Sequence, residues 1–260
     1  MTPFKPGWLK DKPDARDYAF RAKLRTTPYT PVDLRPNAAA IIDQGKLGSC
    51  TACATTKMVE FVRKKQNLPA FSPSVLFTYY TTRQIEGTVN FDNGAYVRNA
   101  LKSAVQYGVV SNATWPYLVE KFKTKPATKV YTEALKYQAL EYRRIADGDL
   151  AAMQQCLADG YPFMFGALVY TSFLSTMVAR TGIVPYPVPS KTERMQGGHC
   201  MLCVGWKLIN DQPYFIIQNS WGKGWGDKGF CYMPCNYLIN KSLASDFWTI
   251  TLEERLNNKA

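Results

Sequence analysis

Apolar residues in the first part of the chain recur at helical spacing. Ala54, Met58, Phe61, Val62 and the stem of Lys65 share one face while Lys57, Glu60 and Arg63 fall elsewhere, which predicts a helix beginning at or near Cys50. Ser72-Pro73 offers a cap and a first-turn proline before Val75-Leu76-Phe77-Thr78-Tyr79-Tyr80, and a third helix runs from Ala95 to Gln106 and stops at Gly108. From about Lys136 the pattern changes. Alternating and continuous apolar runs over 137–145, 162–170, 199–206, 214–218, 230–233 and 247–252 predict strands, interrupted by one short helix from Leu150 to Ala158 before Gly160. The chain is therefore expected to be α+β: a mainly helical part over about 29–130, and an antiparallel, barrel-like sheet over about 131–260. Residues 1–28 stand apart. They are charged and punctuated by proline, with Trp8, Tyr18 and Phe20 as isolated anchors, and read as an extended arm that either lies over the cleft between the two halves and limits access or is merely packed on the surface or disordered.

With 260 residues and 46% hydrophobic content, a sizeable core is within reach, as one domain or as two halves sharing a cleft. Residues 1–8 lack an apolar signal region, and no later stretch approaches about eighteen uninterrupted apolar residues. The expected location is the cytoplasm or another reducing compartment, or the exterior by a non-classical route. Seven cysteines, an odd number, fit free thiols. Cys50-Thr51-Ala52-Cys53 and Cys200-Met201-Leu202-Cys203 each lie within a regular element and no second ligand pair backs either, so neither a metal nor a cofactor is expected. The net charge is +12, with seven Lys or Arg against three Asp over 1–30 and seven against three Glu over 120–144. Such a surface suits nucleic acid, an anionic membrane or an acidic substrate. Without a phosphate loop or an aromatic-basic module beside it, a solvated basic surface is the preferred reading.

The candidate chemistry starts at Gln44–Ala54, a glycine-jointed loop that delivers Cys50 to a helix start. A thiol there sees unpaired backbone N–H groups and the positive end of the helix dipole, both of which favour thiolate. The plainer alternative is a small apolar residue filling space. His199, the only histidine, follows Gly197-Gly198 and opens an apolar strand, so it is the only imidazole available as a general base near neutral pH. The strand 214–218 ends at Asn219, which could orient that imidazole, and continues into the glycine and tryptophan loop Ser220–Gly226. Cysteine comes from the helical half and histidine from the sheet half, placing the chemistry where the halves meet.

These segments resemble the papain-like cysteine peptidases. Gln44, six residues before Cys50, matches the family's oxyanion-hole glutamine; Gly48-Ser49-Cys50, Gly198-His199, and Asn219-Ser220-Trp221-Gly222 with Gly224-Trp225-Gly226 match the cysteine, histidine and asparagine blocks in the family's order. Asn93-Gly94-Ala95-Tyr96 resembles the substrate-cleft segment, and the likeness covers roughly 29–251. It implies a two-lobed fold, hydrolysis of polypeptide substrates through a Cys50–His199 thiolate–imidazolium pair and a thioester acyl-enzyme, Cys50, His199, Asn219 and Gln44 as the catalytic set, and a substrate wall from Gly48, Asn93, Gly94, Ala95, Tyr96, Gly198 and Trp221. The departures are Thr51 where a tryptophan is usual, Leu47 where a disulfide cysteine is common, and Ala95 in place of glycine. A ligase or transpeptidase using the same thioester remains an alternative, as does a basic binding protein on a peptidase scaffold.

Overall fold

A computed structural model of the chain describes residues 4–21, 30–69 and 71–253, so the parts of the arm at 1–3 and 22–28 lie outside the described residues. The first half contains β1 (Trp8–Leu9), β2 (Val32–Asp33), α1 (Cys50–Lys65), α2 (Val75–Glu86), β3 (Ala95–Tyr96), α3 (Val97–Gln106) and α4 (Thr128–Ala134). The second half contains β4 (Ala139–Ile145), α5 (Leu150–Ala158), β5 (Phe163–Tyr170), α6 (Thr176–Thr181), β6 (Met195–Ile209), β7 (Gln212–Gln218), β8 (Phe230–Pro234), α7 (Cys235–Ile239) and β9 (Ala244–Glu253). Among the described residues no helix is long and apolar enough to cross a membrane.

Helix α1 is the spine. It starts at Cys50 as its pattern predicts, but Lys57, Glu60 and Arg63, which fall off the apolar stripe, are buried with the rest of it. Sheet strands β5, β6 and β9 cover one side of α1 while α2 and α3 cover the other, so no face is left for solvent as far as Arg63, and only the last turn, with Lys64 half-buried and Lys65 exposed, emerges. The three polar heads are accommodated individually: Lys57 donates to the Asn219 carbonyl at 2.7 Å, Glu60 pairs with Lys64 at 2.8 Å, and the Arg63 guanidinium lies 4.8 Å from the Phe71 ring centroid.

The second half carries two short helices, α6 and α7, besides the one expected, strand β6 extends beyond its predicted run at both ends, and two helix starts move. The cap of α2 is Ser74 rather than Ser72, its Oγ accepting the Phe77 N–H at 3.1 Å, and the helix ends at Gly87 in the left-handed conformation. Helix α3 begins two residues late, because Ala95 and Tyr96 are extended and pair with the arm.

The sheet runs β4-β9-β5-β6-β7-β8 with β2 on the side of β6, every neighbour antiparallel; its path has two ends and does not close into a barrel. Alternation along the strands separates two cores. Phe163, Phe165, Met201, Cys203, Phe215 and Phe247 fill one, while Met164, Cys200, Leu202, Ile216 and Trp248 join Cys50, Met58 and Val62 of α1 in the other. The register Ala167↔His199 on one side of β6 and Leu202↔Gln218 on the other carries His199 to the edge of the lobe beside the start of α1.

Candidate active site

Cys50 is the first residue of α1 and is fully buried. Its Sγ accepts the N–H of Cys200 at 3.4 Å, which sets residue 199 against the helix start. The loop before it is fixed through Gln44. The Gln44 amide oxygen accepts the Ser220 hydroxyl at 2.7 Å, its amide nitrogen donates to the Leu47 carbonyl at 2.9 Å, and its carbonyl accepts the Tyr117 hydroxyl at 2.7 Å. Gly48 donates to Asp92 at 2.9 Å. Gln44 is thus clamped to the loop that carries Asn219.

His199 Nε2 lies 2.7 Å from Asn219 Oδ1, and that oxygen also accepts the Ser220 N–H at 2.8 Å. An oxygen already accepting can only accept again, so Nε2 carries the proton and Nδ1 carries the lone pair. Nδ1 is buried and has no hydrogen-bond partner among the described residues. The Trp221 ring stacks on the imidazole at 4.8 Å and 27°, and Trp225 packs edge-on against Trp221 at 4.8 Å as a core aromatic. Asn219 is held by its own main chain, its N–H donating to Gly229 and its carbonyl accepting from Lys57. Burial pushes the Cys50 thiol up to about 12, outweighing the backbone N–H groups of Cys200, Thr51 and Cys50 that favour thiolate. The same burial, against the Asn219 hydrogen bond, pulls His199 down to about 4. In this arrangement burial disfavours the charged form of both groups.

The arm supplies much of that burial. Gly7 donates to the Gly198 carbonyl at 3.1 Å and accepts the Ala95 N–H at 2.9 Å, and Trp8 and Leu9 continue as a strand parallel to Ala95 and Tyr96. A Cβ on Gly7 would stand 2.2 Å from the Gly48 oxygen and 2.9 Å from Cys50 Sγ, so only glycine passes here. Upstream, Phe4 packs edge-on against His199 and Trp221, and Lys5 pairs with Asp92 at 3.5 Å. Downstream, the Trp8 indole fills a slot opened by two glycines: a Cβ on Gly166 would lie 1.9 Å from the ring, and one on Gly198, 2.6 Å. Trp8 Nε1 donates to Asp246 at 3.0 Å at the bottom of that slot. A cavity of about 580 Å³ remains beside the arm, lined by Phe4, Lys5, Asp43, Trp221 and Trp225.

A model of the papain family of cysteine proteases matches residues 30–246. The chain belongs to that family. An uncharacterized peptidase C1-like protein of Acanthamoeba polyphaga mimivirus is 37% identical, over 94% of this chain and 86% of that protein. Mouse cathepsin K is 26% identical, over 90% of this chain and 64% of its own length. Among solved structures, xylellain, a cysteine protease from Xylella fastidiosa, superposes with a TM-score of 0.86 at 35% identity, covering 94% of this chain and 95% of that one. Procathepsin L 3 from Tenebrio molitor shares the fold with a TM-score of 0.72 at 22% identity. As a papain-family member the chain is a thiol peptidase acting on polypeptide.

Within this papain-family site, Cys50 is tied to the histidine strand through the Cys200 N–H, Gln44 to the asparagine loop through Ser220, and His199 directly to Asn219. Of the expected substrate wall, Gly48, Gly94, Ala95 and Gly198 all touch the arm at Gly7 or Trp8, Tyr96 pairs with Leu9, and Trp221 roofs the imidazole. Asn93 is exposed at the rim and makes no such contact. Sequence reading did not single out Ser220, Asp92, Lys57 or Asp246. Ser220 lies inside the matched Asn219–Gly222 block and Asp92 beside Asn93–Tyr96, and Asp246 owes its place to a strand from the far end of the chain. No group of His, Cys, Asp or Glu among the described residues is arranged to hold a metal.

Proposed function

We propose that this papain-family peptidase hydrolyses extended polypeptide through Cys50 and His199, and that residues 4–11 keep it latent. The observation that carries the reading is the Nε2–H to Asn219 bond, which leaves His199 Nδ1 as the one buried imidazole lone pair beside the Cys50 helix start. With the arm displaced and the cleft hydrated, Nδ1 takes the thiol proton and Sγ attacks the peptide carbonyl. The Gln44 amide and the Cys50 N–H stabilise the oxyanion, the imidazolium protonates the leaving amine, and water activated by neutral His199 cleaves the thioester. Gln44→Ala is expected to lower kcat on the order of 100- to 1000-fold with KM nearly unchanged, because its donor acts on charge that exists only in the transition state. Steady-state kinetics on a fluorogenic peptide with an arm-released chain checks this; a rise in KM alone would reassign Gln44 to substrate binding.

The arm itself is not a substrate in this arrangement, since the Gly7 carbonyl is engaged by the Ala95 N–H rather than by the Gln44 amide. Its anchor is acidic. Asp11 accepts from the Arg98 N–H and Trp248 Nε1, and its own N–H donates to Asp246, which also receives Trp8. Arg144 and Asp147 face Asp246, and Asp17 bridges Arg98 and Arg144. Burial, and then the Asp246 charge, push Asp11 up to about 7, with Arg98 and Trp248 pulling the other way. A carboxyl raised in the docked state and ordinary in the free arm stabilises docking while protonated, so docking is strongest in acid and weakens as pH rises through about 7. The activity of the native chain relative to a Trp8→Ala chain is therefore expected to climb between about pH 4 and pH 7 and to level off above that. A flat ratio would remove Asp11 from the latch.

A further inference from the structure

Cys53 is the group the mechanism leaves unused, and its position is not neutral. It follows Cys50 by three residues in the first turn of α1, is buried, and has its Sγ 4.0 Å from the Ser49 hydroxyl. Residues three apart in a helix are neighbours with Cβ atoms about 5–6 Å apart, so a disulfide, which spans about 3.5–4.5 Å between Cβ atoms, closes here only as the first turn of α1 tightens. Ser49 and Cys50 stand side by side one turn below Cys53, so a change between staggered χ1 wells turns the sulfur from one to the other. One turn further along the same face is Lys57, a buried ammonium whose hydrogen bond goes to a carbonyl and which pairs with no carboxylate among the described residues. Burial pushes the Cys53 thiol up to about 11, and Lys57 is the strongest pull in the opposite direction. Lys57 lowers the cost of ionising Cys53 without cancelling it, so the thiolate that attacks sulfur is a minor form drawn from the thiol as the reaction proceeds.

We propose that Cys53 is a resolving cysteine, closing a reversible Cys50–Cys53 disulfide when a peroxide oxidises the exposed nucleophile. The inference rests on the reading of Cys50 as the reactive thiol. In the first step the Cys50 thiolate attacks the peroxide O–O bond, gaining oxygen as sulfenic acid and releasing hydroxide. In the second, the Cys53 thiolate attacks the sulfenic sulfur, the S–O bond breaks, the S–S bond forms, and the departing hydroxide leaves as water with the proton Cys53 gave up. The thiol pair is oxidised by two electrons and the peroxide is reduced to water. The disulfide takes the nucleophile out of use, yet a dithiol restores it. Sulfinic acid would be irreversible.

Trypsin releases residues 47–57 as one peptide carrying both cysteines, while Cys200 falls in a different peptide, 195–207. The full chain, opened by Gly7→Ala, is treated with excess hydrogen peroxide, alkylated and mapped by mass. The expected product is peptide 47–57 lighter by two hydrogens, with dithiothreitol restoring alkylation of Cys50. In Cys53→Ser, and in Cys53→Ala as a second packing variant, the same peptide is expected to gain two or three oxygens that dithiothreitol does not remove. Oxygen adducts in the parent chain, a Cys50–Cys200 link, or full recovery of both Cys53 variants would overturn the proposal. The readout is a mass rather than turnover, so a failure of the peptidase reading would show separately as a closed disulfide in a chain that hydrolyses nothing.

Discussion

Cys50→Ala and His199→Ala in an arm-released chain are each expected to lower kcat for a peptide substrate by about 10,000-fold or more, with the double variant little worse than either single. The two groups act as one unit. Without the sulfur there is no thioester, and the only other base of suitable pKa is absent because the chain holds a single imidazole. The Ala side chain fits both sites, Cys50 and His199 making few polar contacts of their own beyond the Cys200 N–H and Asn219. Cys50→Ala is therefore expected to melt near the parent value, and His199→Ala, which empties a buried space under the Trp221 ring, a few degrees lower. Multiplicative effects in the double variant would contradict a shared step.

Gly7→Ala is expected to act in the opposite direction and activate the enzyme. The added methyl cannot be placed against the Gly48 oxygen and Cys50 Sγ without lifting the arm. Trp8→Ala reaches the same state by another route, removing an indole that fills the slot over Gly166 and Gly198 and donates to Asp246. Truncating a buried tryptophan typically costs about 3–5 kcal/mol. Here that free energy belongs to the docked arm, so the open fraction, and kcat/KM with it, is expected to rise on the order of 100- to 1000-fold. The arm also stabilises the fold it sits on, as a ligand would, and both variants should melt a few degrees lower. Native-like turnover in both variants would end the latency reading while leaving the peptidase intact.

The longer elements were legible because their pattern is local: α1 starts at Cys50, α5 spans Leu150–Ala158, and the six predicted strand runs all become strands, whereas the short elements β1, β2, β3, α4, α6 and α7 are too brief to show a period. Gln44, Cys50, His199 and Asn219 could be named because their residue types recur at fixed offsets inside short motifs. What resisted reading is long-range. The buried state of Lys57 and Arg63 depends on a sheet that closes over α1 from residues a hundred or more positions away, and helical periodicity carries no record of it. Trp8 stands out in the sequence as an apolar anchor in a polar lead, but its slot is made by Gly166, Gly198 and Asp246, which no spacing connects to it. Helix α3 was placed two residues early for the same reason, since Ala95 and Tyr96 are extended only because β1 pairs with them.

Latency and nucleophile identity meet in one experiment: the rate at which a peptidyl epoxide labels the native chain and its Gly7→Ala variant, with the modified residue mapped by mass. Fast, single-site modification of Cys50 in the variant, slow modification of the same sulfur in the native chain, and none in Gly7→Ala combined with His199→Ala is the result predicted here. Equal rates in the two chains, or a label that maps to Cys53 or persists after Cys50→Ala, would contradict it.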